Sequence, residues 1–204
     1  MKSGRPRDAA SLIAFRRDRS GWRVLMGRRS TRTRFVPEVW VFPGGRVDRS
    51  DHGSEVTSNL RPAVARRLGA HHSHPHALAV AALRETWEET GVAIGDVEGD
   101  TIVPDLGRID YVGRAITPAG SPLRYHARFF CMEWRGALPR LRGNGELEEL
   151  AWWSVDEVLA LPTVDVTDLM LEEALARIES GSGGRRPPVF VHYRSMRPYI
   201  RRER

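Results

Sequence analysis

The sequence predicts an α/β fold, in which helices pack as layers on a β-sheet. Short runs rich in β-branched and aromatic residues, such as SLIAF (11–15) and WRVLMGRR (22–29), indicate strands. Two longer stretches, residues 76–91 and 165–181, space their apolar residues as amphipathic helices do. With 204 residues, 41% of them hydrophobic and 28% charged, the chain is long enough for one domain with a substantial core. Strands mixed with a few helices favour a layered α/β sandwich.

The first part of the chain is dominated by strands. SLIAF and WRVLMGRR are joined by the polar turn RRDRSG and predict a hairpin, and VWVFPGG (39–45) predicts a third short strand that Pro43 stops. Residues 46–76 are polar and punctuated by Gly, Pro and Ser, so they predict an irregular insert with a short helix near 63–68. Because the insert is poor in apolar residues, we expect a flap beside the core and not a part of it.

Residues 76–91 form the clearest predicted helix. Gly91 is placed to end this helix as a left-handed cap. The positions predicted to form its buried stripe are Ala79, Ala82, Leu83, Thr86 and Trp87. Its opposite side carries Glu85, Glu88 and Glu89.

The second half alternates strands and helices. Ser154, with Glu157 three residues later, predicts a capping box, and Gly181 ends the last helix. The single cysteine, Cys131, permits no internal disulfide and is predicted to be a small core residue. Strands are predicted at 107–118, 123–134 and 147–154, helices at 154–161 and 165–181, and a linker at 180–188 before the extended segment 189–194.

The net charge of +6 is concentrated near the C-terminus, where residues 185–204 hold seven arginines and one acid, Glu203. We therefore predict one domain over residues 1–184 and a solvated basic tail over 185–204 that adds affinity for anions. The bias toward arginine is general, since Lys2 is the only lysine among 32 basic residues. The start of the chain does not fit a secretory signal, and no apolar run approaches the roughly 18 residues of a membrane span, so we expect a cytoplasmic protein.

The stretch RETWEETG (84–91) places Glu85, Glu88 and Glu89 within five positions of one helix. Like charges at this spacing repel each other. A solvated helix face would normally place bases four positions later, but Glu89 and Val92 stand there instead. Mg²⁺ or Mn²⁺ would compensate this charge, because both prefer carboxylate and carbonyl oxygens.

Together with FPGG (42–45), this stretch resembles the Nudix hydrolase family. The family's motif, the Nudix box, runs glycine, five residues, glutamate, seven residues, Arg-Glu, an apolar residue, any residue, Glu-Glu, any residue, glycine and a second apolar residue. Counting back from Arg84 puts His76 at the glutamate position and Ala70 at the glycine position, while the glycine itself is Gly45. About 25 residues are therefore inserted in the box. The residues that match its second half are Arg84, Glu85, Glu88, Glu89, Gly91 and Val92, with Thr86 in the apolar position.

An insertion at this place is similar to that of a Nudix subfamily related to peroxisomal coenzyme A diphosphatases. The segments that carry this resemblance are RFVPEVWVFPGGRVDRSD (34–51) and AALRETWEETG (81–91). The family resemblance implies a Nudix-type α/β/α sandwich with a mixed sheet. It also implies a small-molecule substrate, a nucleoside diphosphate linked to another moiety, and a homodimer.

The resemblance further implies the roles of the site residues. Arg84 would tether the glutamates, and metal-activated water would attack phosphorus. A further catalytic base is expected from GNGELEELAWW (143–153), as Glu146 or Glu149 in preference to Glu148, with a surface acidic patch as the alternative. The predicted metal ligands are the carbonyl of Gly44 and the carboxylates of Glu85, Glu88 and Glu89.

The sequence also allows other functions. The protein could cleave nucleotide sugars or nucleoside triphosphates, or it could bind nucleotides or nucleic acid without hydrolysis, although the glutamate trio argues against a pure binder. A histidine cluster at 71–76 is predicted to be a loop and not a metal site. Four arginines could hold substrate phosphates or lie on a solvated strand edge: Arg28, Arg29, Arg32 and Arg34. Three tryptophans could stack on a base or be buried: Trp40, Trp152 and Trp153.

Overall fold

The structure is a computed structural model that describes residues 5–31, 37–69, 74–181, 186–194 and 197–203. Its strands are β1 (Arg7–Asp18), β2 (Gly21–Arg29), β3 (Trp40–Val41), β4 (Gly44–Arg46), β5 (Gly95–Glu98), β6 (Thr101–Pro104), β7 (Asp110–Ile116), β8 (Tyr125–Glu133), β9 (Leu147–Ser154), β10 (Val189–Arg194) and β11 (Arg197–Arg202). Its helices are α1 (Pro62–Gly69), α2 (Pro75–Thr90), α3 (Val155–Leu159) and α4 (Asp165–Glu179), with short 3-10 turns at Ser50–His52 and Leu106–Arg108.

The main sheet is mixed, with the strand order β11-β10-β7-β8-β1-β2-β3. Strand β1 runs parallel to β8, and β10 runs parallel to β7, whereas the other pairs are antiparallel. Strand β4 pairs with the start of β1, and β9 pairs with β2. The predicted α/β class with a mixed sheet is therefore confirmed.

The sheet separates two hydrophobic cores, as the alternating residues of β1 show. Leu12 and Ala14 point into the core that α1 and α2 cover, while Ile13 and Phe15 point into the core that α3 and α4 cover. The buried thiol of Cys131 lies in the second core, as the sequence predicts. The helices thus form layers on both faces of the sheet.

Most predicted helix and strand ends agree with the structure. Gly91 caps α2 with a φ of 72°, and Ser154 and Glu157 form the predicted capping box of α3. The hairpin of β5 and β6 was not predicted, because its exposed residues lack an alternating apolar pattern. Among the described residues, no helix is both long and apolar enough to cross a membrane.

The insert differs from the predicted flap. Val64 and Leu68 lie one turn apart on α1, and both are buried in the core beneath α2. Asp51 is also buried, with no exposed surface. The insert therefore contributes to the core, because a few well-spaced apolar residues are enough to dock a short helix.

The C-terminal segment also differs from the predicted basic tail. Val189, Phe190 and Val191 of β10 are buried and pair with β7, and β11 continues the sheet. Glu203 is 6% exposed and pairs with Arg114. Apolar residues in β10 and this ion pair attach the segment to the sheet, so the arginines of β11 lie at the edge of the sheet and not in a solvated tail.

Candidate active site

Two glycines bring strand β4 against the glutamate helix α2. Gly44 and Gly45 pair with Ser11 and Ala10 of β1. A Cβ atom on Gly44 would collide with Ser11, and a Cβ atom on Gly45 would collide with the carboxylate of Glu85. The FPGG sequence is therefore required for the close approach of bare backbone to the charged face of α2.

Glu89 is the buried member of the trio. It is 5% exposed, and its Oε2 accepts a hydrogen bond of 2.8 Å from the backbone N–H of Gly44. Burial raises the pKa of Glu89 to about 8, and the nearby charges of Glu85 and Glu146 add to this rise against the opposing effects of Gly44 and Arg29. A group in this position favours the neutral form unless positive charge lies close by.

Glu85 and Glu88 share one arginine. The Nη1 atom of Arg84 lies 3.0 Å from Oε1 of Glu85 and 3.1 Å from Oε2 of Glu88. The side chain of Glu85 is 17% exposed and that of Glu88 is 47% exposed. Burial also raises the pKa of Glu85, in part opposed by Arg84. One guanidinium therefore does not neutralise the trio.

Arg84 is itself held by a residue that the sequence reasoning missed. Its Nε and Nη2 atoms donate to the two carboxylate oxygens of Asp51 at 2.8 and 3.1 Å, and Nη2 also donates to the carbonyl of Arg46 at 3.1 Å. Burial alone would lower the pKa of Arg84, but Asp51, Glu85 and Glu88 outweigh burial and raise it. The bidentate pair fixes the plane of the guanidinium.

Asp51 stands in the place of the missing box glutamate. Counting forward from Gly45 past five intervening residues, instead of back from Arg84, leads to Asp51. His76, which the backward count placed there, lies 3.0 Å from the carbonyl of Ser54 through its Nε2 atom. The insertion thus separates Asp51 from Arg84 along the chain and leaves them paired in space.

The three glutamates at and just before the start of β9, Glu146, Glu148 and Glu149, have different partners. The charge of Glu146 raises the pKa of both Glu85 and Glu89, so Glu146 lies near these two carboxylates. Arg28 instead holds Glu148 at 2.8 Å and Glu149 at 2.7 Å. Glu149 has a φ of 50° and lies at a bulge of β9 opposite β2. Of the two predicted bases, Glu146 is the one that the structure brings toward the trio.

The donor atoms of the trio suit a hard divalent cation, although the carboxylates do not converge on one point. Within the described residues, no three His, Cys, Asp or Glu side chains converge as a metal-binding group. Arg84 holds Glu85 and Glu88, while Glu89 turns to Gly44. The donors are all oxygen, and the raised pKa of buried Glu89 marks a place where added positive charge would stabilise the ionised carboxylate.

The tryptophans, histidines and arginines that the sequence also offered as candidates are next placed in the structure, where those described lie mainly in packing contacts. Trp40 is 3% exposed and packs edge-on against Trp153 at 4.7 Å, as expected for buried tryptophans, and Trp152 is partly buried. His74 packs against His52, and His71 and His72 lie outside the described residues. Arg28 and Arg29 end strand β2, with Arg29 acting on Glu89, while Arg32 and Arg34 lie outside the described residues.

Comparison with known proteins agrees with this geometry. Residues 74–173 match the model of the NUDIX domain. The curated protein "Putative nudix hydrolase 7" of Caenorhabditis elegans is 29% identical over 153 residues, which cover 62% of this chain and 44% of that protein. The chain thus spans less than half the length of that relative.

Solved structures of NUDIX proteins resemble this chain in fold. A NUDIX hydrolase from Alicyclobacillus acidocaldarius has a TM-score of 0.65 and 27% identity, over 88% of this chain and 97% of that one. The NUDIX domain of Shewanella oneidensis NrtR, in complex with ADP ribose, shares the fold with a TM-score of 0.58 and 16% identity, over 86% of this chain and 90% of that one. Residues 74–173 are thus similar to the NUDIX domain, and the sheet of this chain has the fold of these solved structures.

Proposed function

We propose that this protein is a metal-dependent pyrophosphohydrolase that cleaves a nucleoside diphosphate linked to another moiety. The observation that carries the proposal is the position of Glu85, Glu88 and Glu89 beside the bare backbone of β4, with one arginine between them. A domain that only binds nucleotides has no need for carboxylates that repel each other and the anionic ligand.

Mg²⁺ or Mn²⁺ is the cofactor that suits these donors. Glu85, Glu88, Glu89 and the carbonyl of Gly44 would hold it. When bound, such a cation would neutralise the diphosphate and lower the pKa of a water molecule that attacks phosphorus. Since phosphoryl transfer depends mainly on charge and position, the protein's contribution is to fix these groups.

The remaining residues have distinct proposed roles. Arg84 orients Glu85 and Glu88 without touching substrate, because its five donors are already directed at protein acceptors. Glu146 is the proposed general base, since its charge acts on Glu85 and Glu89. Glu149 is a weaker candidate for the base, because it would first have to leave Arg28.

For the substrate itself, we propose coenzyme A or an acyl-coenzyme A, cut into adenosine 3′,5′-bisphosphate and a phosphopantetheine. This assignment rests on the insertion inside the box and on the segment 34–51. A nucleotide sugar or a nucleoside triphosphate is the alternative within the same chemistry. We also keep the cytoplasmic location and a homodimer as predictions, the latter to be measured by light scattering.

One observation favours a second function, nucleotide binding without hydrolysis. The NrtR domain of the same fold is complexed with ADP ribose. Tight binding of ADP-ribose to this protein in the presence of Mg²⁺, with no product formed, would favour this alternative.

The decisive experiment is hydrolysis with Mg²⁺ or Mn²⁺ of a panel that includes coenzyme A, ADP-ribose, a nucleotide sugar and a nucleoside triphosphate. We expect product from a diphosphate compound, complete loss in excess EDTA and recovery when metal is restored. In ¹⁸O-labelled water the label should appear on a phosphate product. Full activity in EDTA, or label on carbon, would refute the mechanism. A tenfold preference for another substrate over coenzyme A, about 1.4 kcal/mol, would refute the coenzyme A assignment.

A further inference from the structure

A second charged cleft opens beside the loop that follows Gly45. It encloses about 680 Å³, within the range of roughly 300–1,000 Å³ that small-molecule sites occupy. Its walls come from the start of β1, the loop after β4 and the facing ends of β7 and β8. Its charged lining comprises Arg5, Arg7, Arg46, Arg128, Asp8 and Asp48.

The acidic residues of this cleft are already engaged. Asp8 accepts a hydrogen bond of 2.6 Å from the Nη1 atom of Arg128, which is 1% exposed. Asp48 lies 3.8 Å from Nη2 of Arg84. Among the described residues, the guanidinium groups of Arg5, Arg7 and Arg46 have no ion pair or hydrogen bond, and all three residues are exposed. The cleft therefore has three arginines available for an anion.

The cleft lies beside the glutamate site, because Asp48 of its lining is 3.8 Å from the Nη2 atom of Arg84. Arg46 follows Gly45, whose Cα faces the carboxylate of Glu85, and the carbonyl of Arg46 accepts the hydrogen bond from Arg84. The side chain of Arg46 lines the cleft. Since Arg84 also holds Glu85 and Glu88, this one side chain links the residues of the cleft to the glutamates.

We propose that this cleft binds a phosphate monoester that the substrate carries in addition to its diphosphate. The inference rests on the proposed hydrolysis and names the substrate class more narrowly. Arginine suits this role because its planar group binds phosphate oxygens in pairs. The cleft selects substrates that carry a third phosphate over otherwise identical substrates without it.

A binding experiment tests the cleft without catalysis. In EDTA, calorimetry compares adenosine 3′,5′-bisphosphate with AMP for the wild type, for Arg5→Gln/Arg7→Gln and for the control Arg19→Gln/Arg66→Gln. The control removes the same charge from exposed arginines, and Arg19 lies about 40 Å from Arg7 along a 12-residue strand at about 3.3 Å per residue. We expect the wild type and the control to prefer the bisphosphate about tenfold, as for one charge-assisted contact.

The cleft variant should lose this preference. Equal preference in the cleft variant and the wild type would overturn the proposal, as would a wild type with no preference. Hydrolysis rates give a separate test. They compare coenzyme A with dephospho-coenzyme A, and ADP-ribose 2′-phosphate with ADP-ribose. The ratio of kcat/KM for phosphorylated over unphosphorylated substrate should fall about tenfold in the cleft variant, through KM, and stay unchanged in the control.

The two measurements also separate the two proposals. Selective binding of the bisphosphate that depends on Arg5 and Arg7, without hydrolysis of any diphosphate, would support the cleft and refute the proposed enzyme. Hydrolysis with an unchanged substrate ratio in the cleft variant would support the enzyme and refute the cleft.

Discussion

Two ion-pair networks of this molecule have opposite balances of charge. At the candidate active site, one arginine, Arg84, lies among the carboxylates of Asp51, Glu85 and Glu88. Beneath the C-terminal segment, one carboxylate, Glu173 of α4, lies between Arg186 and Arg202. The first network has an excess of acid, and the second has an excess of base.

The pKa values follow this difference. Burial would raise the pKa of Glu173, but the hydrogen bonds of Arg186 and Arg202 outweigh burial and lower it to about 2. Burial raises the pKa of Glu89 to about 8, and no such pair of arginines compensates it. Glu173 is a completed structural contact that attaches the C-terminal strands to α4. The glutamate trio keeps an excess of carboxylates, which the proposed cation would neutralise.

The largest difference between the networks should be in catalysis. Glu85→Gln and Glu89→Gln should each lower kcat at least about a hundredfold, because each removes charge that would hold the cation. Neither change should destabilise the metal-free protein, because burial disfavours the ionised form of both carboxylates. Steady-state kinetics and thermal melts measure the two effects. Glu98→Gln on the exposed hairpin is the control, and a kcat for Glu89→Gln near that of the control would contradict the prediction.

Asp51→Asn tests the contact that replaces the box glutamate. It should destabilise the fold by about 3–5 kcal/mol, because it leaves Arg84 without its buried partner. It should also lower kcat, because the orientation of Glu85 and Glu88 depends on Arg84. Asp51→Glu should recover part of the activity, which a loss through unfolding alone would not explain.

The control for this change is Asp48→Asn, whose side chain is 58% exposed and lies 3.8 Å from Arg84. It should cost less than about 1 kcal/mol, as surface ion pairs do. Denaturant melts compare the variants, and equal losses at positions 48 and 51 would show that Asp51 has no special role.

Glu173→Gln should destabilise the protein by about 1–3 kcal/mol and leave kcat unchanged in the folded fraction. The change weakens the attachment of β10 and β11 to α4 and leaves the glutamates of α2 in place. Chemical denaturation with activity measured below the transition gives both values. Glu172→Gln, one residue away and exposed, is the matched control. A salt-dependent rise in KM without loss of stability would instead support the solvated tail that the sequence predicted.

The smallest effect should be the pH dependence of stability. The pKa of Glu89 is about 8 in the folded state against an ordinary 4.5, so the folded state keeps its proton longer. Stability of the metal-free protein should therefore fall as pH rises through this range, by about 1.4 kcal/mol between pH 6 and pH 7. Glu89→Gln should remove this part of the slope, and parallel curves for variant and wild type would exclude Glu89 as its source.

Glu173 should contribute the opposite slope at lower pH. Its pKa falls to about 2, so its stabilisation is present above pH 4.5 and is lost as pH falls toward 2. The two groups therefore favour different pH ranges, and a comparison of Glu89→Gln with Glu173→Gln separates them.

Local patterns predicted much of the fold and part of the site. The alternation of β1, the left-handed cap at Gly91 and the capping box at Ser154 depend on neighbouring residues, so they could be read directly. The charge excess at Glu85 and Glu89 was also readable, because both lie on one turn of one helix. Asp51 was harder to predict, since the insert separates it from Arg84 by 32 residues.

The sequence by itself determined most of the helices and strands, the glycine pair and the acidic face of α2, because each depends on residues within a few positions of one another. Only the tertiary structure decided that Asp51 holds Arg84, that Arg28 holds Glu149, and that Arg186 and Arg202 hold Glu173. These contacts join distant residues through burial and hydrogen-bond geometry. Their energy depends on which charges the folded chain brings together after water is excluded.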